Sequence, residues 1–227
     1  VRRFTALCVA AVACAALGVD SLSAQAKVPV LLVPGWFDTE RDLAALRIRL
    51  LSAGWPVAAV DALTFDRPTG SNGEHAEEIS GAVEALRDRN GTDKVDIVAH
   101  SMGGLATRLY LRQTGADKVR RVVFLGTPHR GTYSAYLAFG EGREEMIPGS
   151  PFLTSLNADP PVPPGVEAMT VRTPIDALVL PNESATLPGT PNVQVCCPTH
   201  AGLLRSLEVF RIVRRFLADG PSPLGVP

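Results

Sequence analysis

The sequence predicts an α/β fold, a mostly parallel six-stranded sheet with helices on both faces. Three observations carry this expectation. Short valine-rich apolar runs recur along the chain, amphipathic segments separate them, and the runs are near-continuous rather than alternating, as strands buried on both faces must be. Strands and helices in alternation connect through right-handed crossovers, which lay helices on both sides of a parallel sheet.

The elements follow in order. Residues 28–33 form the first expected strand, after which Leu43, Leu46 and Leu50 repeat at helical spacing. Residues 57–63 read as the second strand, and Ala76, Ile79, Val83 and Leu86 mark the apolar face of the helix behind it. The third strand, 95–100, turns at once into a helix that starts near Met102 and carries Leu105 and Leu109. Residues 119–125, 168–172 and 193–197 complete the sheet, and Leu203, Leu207, Phe210, Val213 and Leu217 line the last helix. Residues 148–164 hold six prolines and read as a loop or cover, while 220–227 is a Gly/Pro/Ser tail expected to be disordered. No internal repeat is visible.

The 227 residues suggest one domain, expected at 27–219. Ahead of it, Arg2 and Arg3 precede an apolar run at 4–19 and then Ser21-Leu22-Ser23-Ala24-Gln25-Ala26. That order reads as a secretory signal, 1–26, cut after Ala26, so the protein is expected outside the cytoplasm, extracellular or periplasmic. The run is short and alanine-rich for a membrane span, which leaves an uncleaved anchor as the weaker alternative. Lipid attachment at Cys14 is weaker still, because no leucine stands three residues before it. The net charge of -1 gives no electrostatic case for nucleic acid or an anionic membrane surface. Cys8 and Cys14 would leave with the signal. The remaining pair, Cys196 and Cys197, is expected as reduced thiols on opposite sides of a strand, since adjacent α-carbons about 3.8 Å apart lie below the disulfide range. No spacing suggests a metal site.

In such sheets ligands bind outside the carboxyl ends of the strands. There the sequence V-D-I-V-A-H-S-M-G-G, 95–104, ends an apolar strand in Ser101 between small residues, Ala99 and Gly103. A strand that passes directly into a helix puts Ser101 on a cramped corner with its hydroxyl outward, and the helix N-terminus favours an anion beside it. The usual form is G-x-S-x-G; Ala99 replaces its first glycine at a cost of one methyl. The plain alternative is a strand-turn-helix junction that merely holds Ser-Met-Gly-Gly. A second feature, Pro34-Gly35-Trp36, ends the first strand at the same edge. An anion formed on a carbonyl attacked by Ser101 needs two donors, for which the amides of Trp36 and Met102 are the candidates. In isolation the same residues would be an ordinary Pro-Gly turn.

A serine hydroxyl needs a base within hydrogen-bond reach. Of the four histidines, His75 opens a helix and is expected at the surface, and His100 is expected buried with its side chain directed away from the nucleophile. His129 follows a strand and could line the pocket. His200 is the better base, being in a loop after the last strand, late in the chain, as the order nucleophile, acid, histidine requires. Asp176 leads as the acid because it follows a strand and precedes His200 by 24 residues. Asp159 and Glu183 read as solvated charges, and Asp61 and Asp66 precede the serine.

With these residues in place, the chain resembles the class 2 bacterial lipases of the α/β-hydrolase superfamily. The resemblance rests on A-H-S-M-G-G, P-G-W, L-G-T-P-H-R-G at 125–131, D-A-L-V at 176–179 and T-H-A-G-L-L at 199–204, in order across 28–217. It implies Ser101, Asp176 and His200 as a catalytic triad, Trp36 and Met102 as oxyanion donors, and hydrolysis of fatty-acyl carboxylic esters without a cofactor. A monomer, with a small-molecule or lipid ester as its partner and transient contact with a lipid interface, is expected. Pro34 stands where the family commonly has histidine, and 130–166 has no counterpart in the smallest lidless members. Within that segment Tyr133, Tyr136, Leu137 and Phe139 read either as an apolar cover or acyl-binding wall, or as the core face of a short helix. A polyester depolymerase or acyltransferase would use the same residues, and an exported binding protein of this fold could keep them without catalysis.

Overall fold

A computed structural model describes residues 27–158 and 160–221. The expected leader with Cys8 and Cys14, the alternative acid Asp159 and positions 222–227 of the expected tail lie outside the described residues. Within them the chain runs β1 (Val30–Val33), α1 (Ala44–Ser52), β2 (Val60–Ala62), α2 (Asn72–Asn90), β3 (Val95–His100), α3 (Gly103–Tyr110), β4 (Val119–Leu125), α4 (Glu141–Met146), α5 (Pro151–Leu156), β5 (Glu167–Arg172), β6 (Asn192–Gln194) and α6 (Leu207–Asp219). The sheet has the order β2-β1-β3-β4-β5-β6, and every pairing among the described residues is parallel.

Strand periodicity divides the core into two layers. Val30, Leu32 and Val98 point into the layer closed by α1 and α6, whereas Leu31, Val33, Ile97 and Ala99 point into the layer closed by α2 and α3. Every residue of β1 and β3 is buried, which is why both strands read as unbroken apolar runs. Fully burying one such Leu, Ile or Val stabilises the fold by about 1.5–3 kcal/mol.

Helix ends show where the scaffold is closed. Ser71, Ser150 and Ser206 each accept a hydrogen bond from an amide in the first turn of α2, α5 and α6. The N-terminus of α3 has no side-chain cap and faces the carboxyl ends of the strands instead.

Several expectations are corrected. Residues Val57–Ala59 form a 3₁₀ turn, so the second strand is shorter than 57–63. The proline-rich stretch is not all loop, because Pro151 opens α5, where a missing N–H goes unneeded. His75 is fully buried: its Nε2 lies 2.8 Å from the Arg67 carbonyl oxygen, and its ring stacks on Phe65. Cys196 and Cys197 are joined in a disulfide, their α-carbons 3.0 Å apart. The sheet strand ends at Gln194, so side-chain alternation does not reach the pair. No helix among the described residues is long and apolar enough to cross a membrane.

Candidate active site

β3 delivers Ser101 in a left-handed backbone conformation, φ 51°, with its amide donating to the Leu125 carbonyl at 2.9 Å. A non-glycine residue held there costs on the order of 1–3 kcal/mol, which the surrounding packing must sustain. The turn has no spare volume. A β-carbon on Gly103 would collide with the Pro34 carbonyl oxygen, and one on Gly104 would collide with the Thr127 side chain. Both glycines of S-M-G-G are therefore required for α3 to approach β1 and β4.

Val33 pairs with Ala99, so the chain leaving β1 passes directly over the serine. A β-carbon on Gly35 would lie 2.8 Å from the Ser101 β-carbon, closer than side chains tolerate. The amides of Trp36 and Met102 donate to no other group among the described residues. The Met102 side chain is buried, which leaves its backbone N–H as the group it can offer. These two free donors flank the serine.

His200 enters from the opposite end of the chain. Its Nδ1 lies 2.8 Å from Asp176 Oδ2, and both residues are buried. The other carboxylate oxygen, Oδ1, accepts from the Leu178 and Val179 amides at 2.8 and 2.9 Å. Burial pushes the Asp176 carboxyl up, but the hydrogen bond to His200, its charge and the two amides outweigh that and hold it below the usual carboxylate range. Gly126, at φ 57°, closes on the ring, since a β-carbon there would sit 3.1 Å from it. Ser101 and His200 open on one cavity of about 340 Å³, walled by Trp36, Leu137, Met146 and Val179. A larger hollow of about 680 Å³ lies at the other ends of the strands, between Trp55, Arg120 and Arg215, and holds none of these groups.

The remaining histidines and acids separate. His129 is fully buried with its ring edge-on to Phe124 at 5.0 Å, off the cavity, and burial, then Arg108 and Arg130, hold its pKa well below the ordinary value. Asp61 pairs with Arg89, and neither it nor Asp66 nor Glu183 lines the cavity. His100 is a correction: its side chain is not directed away but points into the layer where the His200 loop packs, with ring centroids 4.6 Å apart. Its Nδ1 lies 2.9 Å from Asp38 Oδ2. Asp38 also lines the cavity and carries no motif of its own; its one sequence signal is an acid three residues after Gly35.

The wall at 133–139 is exposed, which removes the core reading of its aromatics. Leu137 is 92% exposed, and Tyr133, Tyr136 and Phe139 are each more than half exposed. Phe139 meets Trp36 edge-on at 5.0 Å and Phe37 at 5.9 Å, and its carbonyl accepts from Trp36 Nε1 at 3.1 Å.

A parallel sheet in this order, with a left-handed serine at the end of its third strand and a histidine-carboxylate pair beside it, defines a single large class of α/β proteins. Residues 28–149, more than half the chain, match the alpha/beta hydrolase fold family, and the chain belongs to that family. It is 31% identical over 124 residues to a triacylglycerol lipase of Burkholderia plantarii, covering 52% of this chain and 34% of that protein. A triacylglycerol lipase of Pseudarthrobacter phenanthrenivorans is 30% identical over 115 residues, 48% of this chain and 35% of that one. The matched segments thus span about a third of the length of these relatives. Among solved structures, lipase B of Aspergillus fumigatus superimposes with a TM-score of 0.75 at 19% identity over 87% of this chain and 53% of that chain. The mature form of Bacillus licheniformis lipase BlEst2 gives 0.68 at 18% identity over 85% and 93%. At these identities the superpositions establish a shared fold.

Proposed function

We propose that the protein is a serine carboxylic-ester hydrolase, a lipase or esterase that acts on fatty-acyl esters through an acyl-serine intermediate. The observation that carries this reading is the His200–Asp176 pair, bonded at 2.8 Å, whose His200 opens with Ser101 on one largely apolar cavity. Ser101 Oγ attacks the ester carbonyl carbon while His200 Nε2 takes the hydroxyl proton, and the oxyanion rests on the Trp36 and Met102 amides. The carbon–oxygen bond to the alcohol then breaks, and His200 returns the proton to the departing oxygen. Water, deprotonated by His200, attacks the acyl-serine and releases the fatty acid. Asp176 stays ionised throughout, fixing the imidazole tautomer and balancing the imidazolium.

The triacylglycerol lipase relatives support an ester as substrate, and the resemblance to class 2 bacterial lipases belongs to the same reading. Export by the segment 1–26 is part of it as well, and the Cys196–Cys197 disulfide suits an oxidising compartment. The exposed aromatic wall suits a monomer that makes transient contact with a lipid interface. The test is a series of p-nitrophenyl and glyceryl esters of increasing acyl length, assayed below and above their solubility limits with Ser101→Ala as control. Hydrolysis that vanishes in the control supports the reading, and ester hydrolysis that survives in it removes the serine from the mechanism.

A further inference from the structure

The exposed wall is a strap fastened at both ends, and the two ends meet different parts of the candidate site. Its start is tied to the segment that follows the acid. Thr132 Oγ1 donates to the Leu178 carbonyl and accepts from the Leu180 amide, both at 2.8 Å, and Ser134 Oγ donates to the same Leu178 carbonyl. The Tyr133 amide donates to the Leu180 carbonyl at 2.9 Å, and the Leu178 amide donates to Asp176 Oδ1. The far end crosses the cavity, where the Phe139 carbonyl accepts from Trp36 Nε1 at 3.1 Å. That end is fixed in its turn. A β-carbon on Gly140, at φ 82°, would collide with the Thr69 carbonyl oxygen, and the Gly142 amide donates to the same oxygen at 3.1 Å.

The turn this strap reaches is strained. Residues 35–38 are closed by the Asp38 amide donating to the Gly35 carbonyl at 3.2 Å, with Trp36 and Phe37 as the two central residues. Phe37 holds φ 63° at a position that usually takes glycine when it is left-handed. Among the described residues, Phe37 and Ser101 are the two non-glycine residues with such a backbone, one following the Trp36 amide and one preceding the Met102 amide. Each costs on the order of 1–3 kcal/mol and persists only where its surroundings over-determine it. Three contacts hold this turn from outside. They are the Trp36 indole on the Phe139 carbonyl, the Phe37 amide on the Pro68 carbonyl at 3.1 Å, and the Phe37 ring against Phe139 at 5.9 Å. The first bears on the residue whose backbone N–H is free to meet an oxyanion. Tryptophan has two side-chain torsions, so anchoring its indole restrains its α-carbon and the peptide on either side.

We infer that the Trp36 side chain is a positioning group for the reaction: its indole N–H, anchored on the Phe139 carbonyl, holds the Trp36 backbone N–H toward the oxyanion. The strap that walls the cavity thereby also sets the geometry of the oxyanion donors. The indole bond is made before and during reaction alike, so its own energy cancels from kcat. Its effect on rate comes from a donor that needs no reorganisation when charge develops. This inference rests on the triad reading, and the experiment keeps the two apart.

Trp36→Phe keeps a ring against Phe139 and removes the indole N–H. With p-nitrophenyl butyrate its kcat falls about tenfold with KM within about twofold, less than the roughly 10²–10³ that follows outright loss of an oxyanion donor. An aliphatic trifluoromethyl ketone reads the same donor without turnover. Ser101 Oγ bonds to its carbonyl carbon, the hydroxyl proton passes to His200, and the carbonyl oxygen becomes the anion that the two amides face. Its inhibition constant rises by the same factor of about ten in Trp36→Phe. Phe139→Ala removes the ring and keeps the carbonyl, so its kcat stays within about threefold of the wild type. Thermal melting of both variants confirms the folded state before kinetics. Unchanged kcat and inhibition constant in folded Trp36→Phe, a rise in KM alone, or an equal fall of kcat in Phe139→Ala overturns the inference; if Trp36→Phe does not fold, Trp36→Leu gives the same readout. Retained activity in Ser101→Ala would instead strike the triad reading itself.

Discussion

The two ends of β3 hold charge in opposite ways. At its start, Asp96 is fully buried and gripped by Arg120 through two bonds of 2.9 and 2.5 Å, while Arg120 also donates to the Leu217 carbonyl. At its end, Ser101 sits in a left-handed turn between two amides that donate to nothing else among the described residues. One end is closed and satisfied; the other is strained and left open. Burial shifts their carboxylates differently as well. Asp96 is pushed above the usual range because desolvation outweighs even its Arg120 partner, whereas Asp176 ends below it once His200 and two amides have answered the same burial. A buried acid of the first kind joins elements of the fold, and one of the second kind is kept ionised beside a base.

The contrast can be broken first at the open end. Ser101→Ala and His200→Ala should each lower ester turnover by about 10⁶-fold, and Asp176→Asn by about 10⁴-fold, by the behaviour of other serine triads. Ser101→Ala should leave the melting temperature unchanged or raised, because it removes no packing contact. At the closed end the effects exchange places. Arg120→Ala leaves Asp96 buried without its cation and should cost about 3 kcal/mol of unfolding free energy in urea, toward the low side for a buried pair because Arg120 is partly exposed. Turnover per folded molecule in that variant should match the wild type. Loss of turnover with intact stability would show that the two ends are not separate.

A smaller effect lies in the pH dependence of stability. His100 and His129 have folded pKa values below the ordinary one, so the unfolded chain binds protons the native state refuses. Their contribution is complete above about pH 6.5 and is lost as pH falls through and below that value. Asp176 and Asp38, lowered in the fold, contribute above about pH 4 and lose that contribution as pH falls through their folded values. Melting temperatures from pH 8 to 3 should therefore decline in two stages. A flat curve between pH 7 and 5 would contradict buried neutral histidines.

The smallest stability effect belongs to the wall. Leu137 is 92% exposed and Phe139 more than half exposed, so Leu137→Ser and Phe139→Ser should change unfolding free energy by less than about 0.5 kcal/mol, as surface substitutions do. The same variants should shift acyl-chain preference in the ester series. An unchanged preference would remove this wall from substrate recognition.

Local patterns made the scaffold readable. Valine runs gave all six strands with their ends within about three residues, and the crowded sequence A-H-S-M-G-G announced a turn whose glycines the structure shows to be packed against Pro34 and Thr127. Chain order and strand ends singled out Ser101, Asp176 and His200 as candidates, and the structure sets Asp176 against His200 with Ser101 on the same cavity as His200. What escaped depended on approach between distant segments. His75 looked exposed because its helix position faces Phe65 and Arg67 through a turn that periodicity does not describe. Asp38 was invisible because its partner lies 62 residues away. Strand alternation correctly turned His100 to the other face from Ala99 but could not say that the His200 loop would pack there. The exposure of Leu137 and Phe139 likewise depends on how 130–166 returns to the sheet, not on the spacing of its aromatics.

In the proposed mechanism Ser101 is the group the substrate acylates. The direct measurement is labelling of the folded protein by a fluorophosphonate, followed by mass spectrometry of its peptides. One phosphonyl adduct is expected, on Ser101, abolished in Ser101→Ala and formed far more slowly in His200→Ala. An adduct on another residue, or none on folded protein that still hydrolyses esters, would contradict it.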